Sequence, residues 1–83
     1  MTDVLSVRTD ERSMTLARQM ADPPEGAQIL GLVGSAEDPI RPRLHAALVR
    51  FRSGAYGTMF GVTWRSLHPR RVPEHIRAEH LSR

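Results

Sequence analysis

The sequence contains no cysteine and no lysine. Without cysteine there are no disulfide staples, no thiolate metal sites and no thiol nucleophile, and a cytoplasmic setting is the simplest expectation. The missing lysines place all 12 basic side chains on arginine. Long apolar runs are lacking as well. AQILGLVG and HAALV fall far short of the roughly 20 residues that cross a bilayer, and the opening MTDVLSVRTDER carries acids where a signal peptide carries bases. Neither export nor membrane insertion is expected. Aromatics number only four, and internal repeats and low-complexity tracts are absent.

What is present is a strong asymmetry of charge. Residues 1–40 hold three arginines against seven acids, a net of −4, whereas residues 41–83 hold nine arginines against Glu74 and Glu79, a net of +7, with all four histidines. A chain divided in this way invites an anionic partner for its basic half, unless the acidic half or a neighbouring subunit neutralises it. The 83 residues read as one small domain. A chain of that size buries only about 60–65% of its unfolded surface, so its core is thin and a homo-oligomer is expected.

Along the chain, DVLSVRT alternates weakly as a short strand, and Thr9 or Asp10 can cap a helix over ERSMTLARQMA that gathers Met14, Ala17, Met20 and Ala21 on one side. DPPEG ends that helix. AQILGLVG reads as a buried strand over residues 27–33, and SAEDPIRP as a loop.

In PRLHAALVRFRS, residues 42–53, Leu44, Ala47, Leu48 and Phe51 fill the i, i+3, i+4, i+7 template, Pro42 suits a first helical position and Gly54 suits the residue past the end. A helix is expected there. The rival is a strand with Val49 and Phe51 inward, whose hairpin, closed by GAYG, sets Phe51 against Phe60, Val49 against Val62 and Ala47 against Trp64; an odd-length loop sets arginines against aromatics instead. TMFGVTWRS reads as one half-buried strand in which Phe60, Val62 and Trp64 alternate, and Phe60 and Trp64 are assigned to the core. After HPRRVP, EHIRAEHLSR is a short helix with Pro73 at its first position and a narrow apolar edge of Ile76 and Leu81. The expected fold class is α+β, or a small α/β, with about three short strands and three helices in a two-layer single domain over residues 1–83.

No motif for catalysis is complete. His75 and Glu79 stand one helical turn apart, but two ligands do not make a metal site, and the two-histidine metalloprotease pattern is missing. Ser53, Ser66 and His68 have no base and orienting group arranged around them. The acid pairs Asp10 with Glu11 and Glu37 with Asp38 are explained by helix capping, and GLVGS lacks the lysine of a phosphate loop. No catalytic residue, metal or cofactor is expected.

A basic patch is the remaining candidate site, formed by Arg50, Arg52, Arg65, Arg70, Arg71 and Arg77, with Tyr56 as a stacking surface at a loop tip. Arginine suits such a patch because its planar fork grips phosphate or carboxylate through two hydrogen bonds and stacks on bases. Two short stretches add to this. VLSVRTDERSMTLARQMA resembles the opening of a ribbon-helix-helix repressor, which implies a strand paired across a dimer to read DNA, although DPPEGAQILGLVGSAEDPI stands where the second helix belongs. RRVPEHIRAEHL is similar to the strand-to-helix passage of AbrB-like swapped-hairpin regulators, without the glycine-marked half that follows it there. Each covers under a quarter of the chain, and neither amounts to membership. The expected function is a small non-catalytic binding protein that acts on nucleic acid as a regulator. The alternative is a protein-interaction module, such as an inhibitor, adaptor or accessory subunit, that docks on an acidic protein.

Overall fold

A strand buries consecutive residues when both faces of its sheet are covered, and Ala47, Leu48 and Val49 are all fully buried. The computed structural model describes residues 4–34 and 45–81. It contains β1 (Val7–Arg8), α1 (Glu11–Met20), β2 (Gln28–Val33), β3 (Ala46–Arg50), β4 (Tyr56–Phe60), β5 (Thr63–Leu67), a 3₁₀ turn over Pro69–Arg71 and α2 (Glu74–Leu81). The strands form one antiparallel sheet in the order β1-β2-β3-β4-β5. The expected three strands and three helices are therefore corrected to a five-stranded antiparallel sheet with two short α-helices.

One face of the sheet carries α1. Asp10 is its N-cap: one carboxylate oxygen accepts from the Ser13 amide at 3.1 Å and the other from the Ser13 hydroxyl at 2.6 Å. Those bonds, the hydroxyl's first, hold the Asp10 carboxyl below the usual carboxylate range. Ser13 and Ala17 are the buried residues of the helix, and this small-residue stripe lets α1 lie close on β2 and β3. Ala17 and Ala21 join Leu32, Ala47, Val49 and Met59 in the core on this side. The other face carries the carboxyl-terminal segment, whose Val72 and Ile76 join Leu48, Tyr56 and Leu67. Successive residues of β3 thus feed two different cores. That explains why its alternation is invisible in the sequence.

Two expectations, and the register of the rival hairpin, are overturned by this arrangement. The helix expected over 42–53 is β3 from Ala46 onward; Pro42 and Leu44, and the loop SAEDPIRP, lie outside the described residues. The hairpin closed by GAYG is replaced by a register in which Arg50 stands opposite Tyr56 and Ala47 opposite Met59, with Phe51–Ala55 as a five-residue loop. That loop is odd in length, and it does set an arginine against an aromatic. Finally, TMFGVTWRS is not one strand. Phe60 pairs with Thr63, and Gly61 and Val62 form a two-residue turn in which Gly61 takes φ +61°, the left-handed position that such turns reserve for glycine. The Gly61 amide donates to the Met20 carbonyl at 2.6 Å and its carbonyl accepts from the Asp22 amide at 2.8 Å, so the turn is tied to the end of α1.

Candidate functional site

The expected basic residues fall on different parts of this frame. Arg50 ends β3 and Arg52 lies in the loop that follows, against Gly26. Arg70 and Arg71 form the 3₁₀ turn that leaves β5. The pairing of Arg50 with Tyr56 and of Tyr56 with Leu67 puts all four at one end of the sheet. Arg65 is exposed midway along β5, opposite Thr58, and Arg77 is half-buried in α2. Among the described residues, no carboxylate pairs with Arg50, Arg52, Arg65, Arg70 or Arg77. Arg50 and Arg77 each also bury an Nε–H with no hydrogen-bond partner.

Tyr56 is placed where a stacking surface is impossible. It is buried against Leu48, Leu67, Val72 and Ile76, because an even position on β4 points toward the carboxyl-terminal segment and away from water.

The residues that sequence reasoning assigned to the core stand outside it. Phe60 is 63% exposed, Val62 73% and Trp64 51%, all on the β4–β5 hairpin. Monomeric domains rarely leave such large side chains in water together without a use for them. The signal for this was Gly61: read as a turn residue, it converts one buried strand into a two-stranded hairpin at the edge of the sheet. Trp64 is nevertheless held in place. Its ring meets that of Phe51 with centroids 4.8 Å apart and planes tilted by 55°. Phe51 in turn lies over Gly57, where a Cβ would come within 2.7 Å of the ring, so the glycine is what allows the ring to lie flat on the sheet.

The outer edge of β5 has no neighbouring strand among the described residues. Which backbone groups it offers follows from the hydrogen-bond phase. The Phe51 amide donates to the Ala55 carbonyl, so Phe51, Val49 and Ala47 bond toward β4 through Ala55, Gly57 and Met59. Tyr56, Thr58 and Phe60 then bond toward Leu67, Arg65 and Thr63. Trp64 and Ser66 are left with their amides and carbonyls facing outward. Inward of this edge, across β4 between the start of β3 and β5, a concavity of about 390 Å³ is lined by His45, Ala46, Thr58, Phe60, Trp64 and Arg65. A larger groove of about 620 Å³ borders the start of β2, between Met14 and Arg18 of α1 and His75 and Ile76 of α2; it has no comparable exposed aromatic.

The strands around β5 carry charge of one sign, and the carboxylate residue tied to the hairpin is Asp22, whose amide bonds to the Gly61 turn. Residues 39–73 contain seven arginines and no aspartate or glutamate, so β3, β4 and β5 carry no carboxylate. Two of the three catalytic candidates make local hydrogen bonds: the His68 Nδ1 accepts from the Arg70 amide at 3.1 Å, and the Ser53 hydroxyl accepts from the Ala55 amide. Among the described residues no three His, Asp or Glu side chains are placed to hold a metal ion, and no helix is long and apolar enough to cross a membrane. No protein-family model matches the chain, and no curated protein or solved structure is significantly similar to it.

Proposed function

We propose that the chain is a small protein-interaction module that docks on an acidic protein through the β4–β5 hairpin. The observation that carries this reading is the joint exposure of Phe60, Val62 and Trp64 on a segment without a single carboxylate. Interfaces take their binding energy from desolvated aromatic anchors, and basic surroundings supply steering and orientation. The guanidinium groups of Arg50, Arg52, Arg65 and Arg70, which pair with no carboxylate among the described residues, fit an anionic partner. A sheet that stacks bases needs an open face with aromatics side by side on it; here the exposed Phe60 and Trp64 stand on opposite faces of the sheet, Trp64 is packed on Phe51, and Tyr56 is buried. The nucleic-acid reading therefore rests on the free arginines alone, and it stands second. A cytoplasmic setting belongs to the same proposal.

The test uses Trp64, the only tryptophan of the chain, as reporter. Titration with poly-glutamate at about 100 mM salt, where surface charges are screened over roughly 10 Å, is expected to shift its emission. Phe60→Ser and Val62→Ser are expected to weaken that binding about tenfold, the equivalent of ~1.4 kcal/mol, without lowering the melting temperature. Unaltered affinity overturns the reading. Binding of single-stranded DNA without binding of poly-glutamate replaces it with the nucleic-acid one.

A further inference from the structure

We infer that the acidic partner binds as an added strand, antiparallel to β5, and not as a folded surface laid against the hairpin. The inference rests on the protein-docking reading and specifies its geometry. An unprotected edge is a template for another chain, and folded domains usually blunt it with proline, a bulge, a covering loop or several charges. β5 has none of the first three among the described residues. Its pairing with β4 is regular over all five residues, Thr63–Leu67, and Arg65 is its only charge. The outward amides and carbonyls of Trp64 and Ser66 supply four hydrogen-bonding groups to an incoming backbone.

Charge and parity then fix the chemistry of the added strand. Trp64 lies on the α1 face, paired with Met59, and Arg65 lies on the α2 face, paired with Thr58. A residue opposite Trp64 shares its face and exchanges backbone bonds with it, so it is apolar and rests on the Trp64 ring. The next residue stands opposite Arg65 in a non-hydrogen-bonded pair, where side chains approach most closely, so it is acidic. The occupant is an extended segment of another protein with apolar and acidic residues in alternation. A second copy of this chain fits less well. A two-fold axis at Arg65 sets guanidinium against guanidinium, and the β5 strand of a copy brings no carboxylate to the edge.

The probe is a capped peptide of about six alternating valine and glutamate residues, the length of an ordinary strand. In the inferred register its valine amides bond to β5 and its glutamate amides point away. N-methylation of the valines is expected to weaken binding at least about tenfold, and N-methylation of the glutamates is expected to leave it unchanged. Ser66→Pro removes one outward amide and no bond to β4, so it is expected to weaken the unmodified peptide while the protein stays folded. The methylated peptides keep the test decisive if that variant unfolds. Equal affinity of both methylated peptides overturns strand addition and leaves acidic docking standing. No binding of any of the peptides, with poly-glutamate also inert, overturns both. A dimer in sedimentation that the peptide does not dissociate assigns the edge to a second copy and overturns the inference.

Discussion

Replacing Leu48 by alanine is expected to cost more stability than replacing Trp64, although tryptophan is much the larger side chain. Leu48 has no exposed surface and sits at the centre of β3 against Tyr56, Leu67, Val72 and Ile76. Truncation of a leucine so enclosed removes its transfer energy and leaves a cavity, about 3–5 kcal/mol together. Trp64 keeps 51% of its surface in water. Its truncation therefore removes only about half of the ~3–5 kcal/mol expected for a fully buried ring, or roughly 2 kcal/mol. A domain of 83 residues has a stability of only about 4–12 kcal/mol, so Leu48→Ala leaves it near the edge of folding. Far-ultraviolet circular dichroism during thermal and urea unfolding measures both variants, since fluorescence is lost with the only tryptophan. Each kcal/mol lowers Tm by roughly 4–8 °C in a domain of this size, and the Leu48→Ala drop is expected to be about twice that of Trp64→Ala. An equal or reversed order would refute the placement of the hairpin outside the core, and with it the docking surface.

Three other perturbations test separate parts of the fold. Asp10 has a folded-state pKa below its unfolded value, so its capping contribution is complete above about pH 4 and fades as pH falls through the lower folded value; Asp10→Asn is expected to flatten the acid limb of the stability profile, and identical limbs would contradict the cap. Gly57→Ala places a methyl 2.7 Å from the Phe51 ring and 2.9 Å from the Arg65 carbonyl, an overpacking expected to cost about 1–3 kcal/mol and to shift Trp64 emission as Phe51 is displaced. Gly61→Ala meets no atom within 4 Å but keeps φ +61°, so its expected cost of ~1–2 kcal/mol is purely conformational, and D-alanine at the same position in a synthetic chain is expected to restore the stability.

Much of the fold is written in local chemistry that sequence reasoning reads well. Asp10 and Ser13 mark the start of α1, DPPEG its end, and Pro73 the start of α2. The strand read over residues 27–33 is β2, shifted by one residue at its start. Local chemistry fails at β3 because the information there is tertiary. Ala47 and Val49 look toward α1 and Leu48 toward α2's side, so all three are apolar, and the run happens to match a helical template with Leu44 and Phe51. The candidate site was legible as charge and illegible as shape. The arginines were found, but the exposed aromatics were taken for core because a scarce, large ring is usually buried. Tyr56 was the converse error: glycines on either side suggested a loop tip, whereas Gly57 makes room for Phe51.

Why the largest rings end up outside has a geometric answer. Neighbouring strands lie about 4.8 Å apart, so five of them span roughly 19 Å, whereas one helix with its side chains is only about 10 Å wide. Each face of this sheet has a single short helix. α1 lies on β2 and β3, and its contact stripe of Ser13 and Ala17 brings it too close to the sheet for a tryptophan to fit beneath. The β5 side of the sheet is left bare on that face, and Phe51 and Trp64 cover it with each other. On the opposite face Val72 and Ile76 reach Leu48, Tyr56 and Leu67 but leave Arg65, midway along β5, and Phe60, beside the turn, uncovered. A sixth strand beside β5 gives Trp64 an apolar neighbour on one face and Arg65 an acidic one on the other. One added segment therefore answers the apolar deficit and the charge excess together, which a partner laid flat on either face does not.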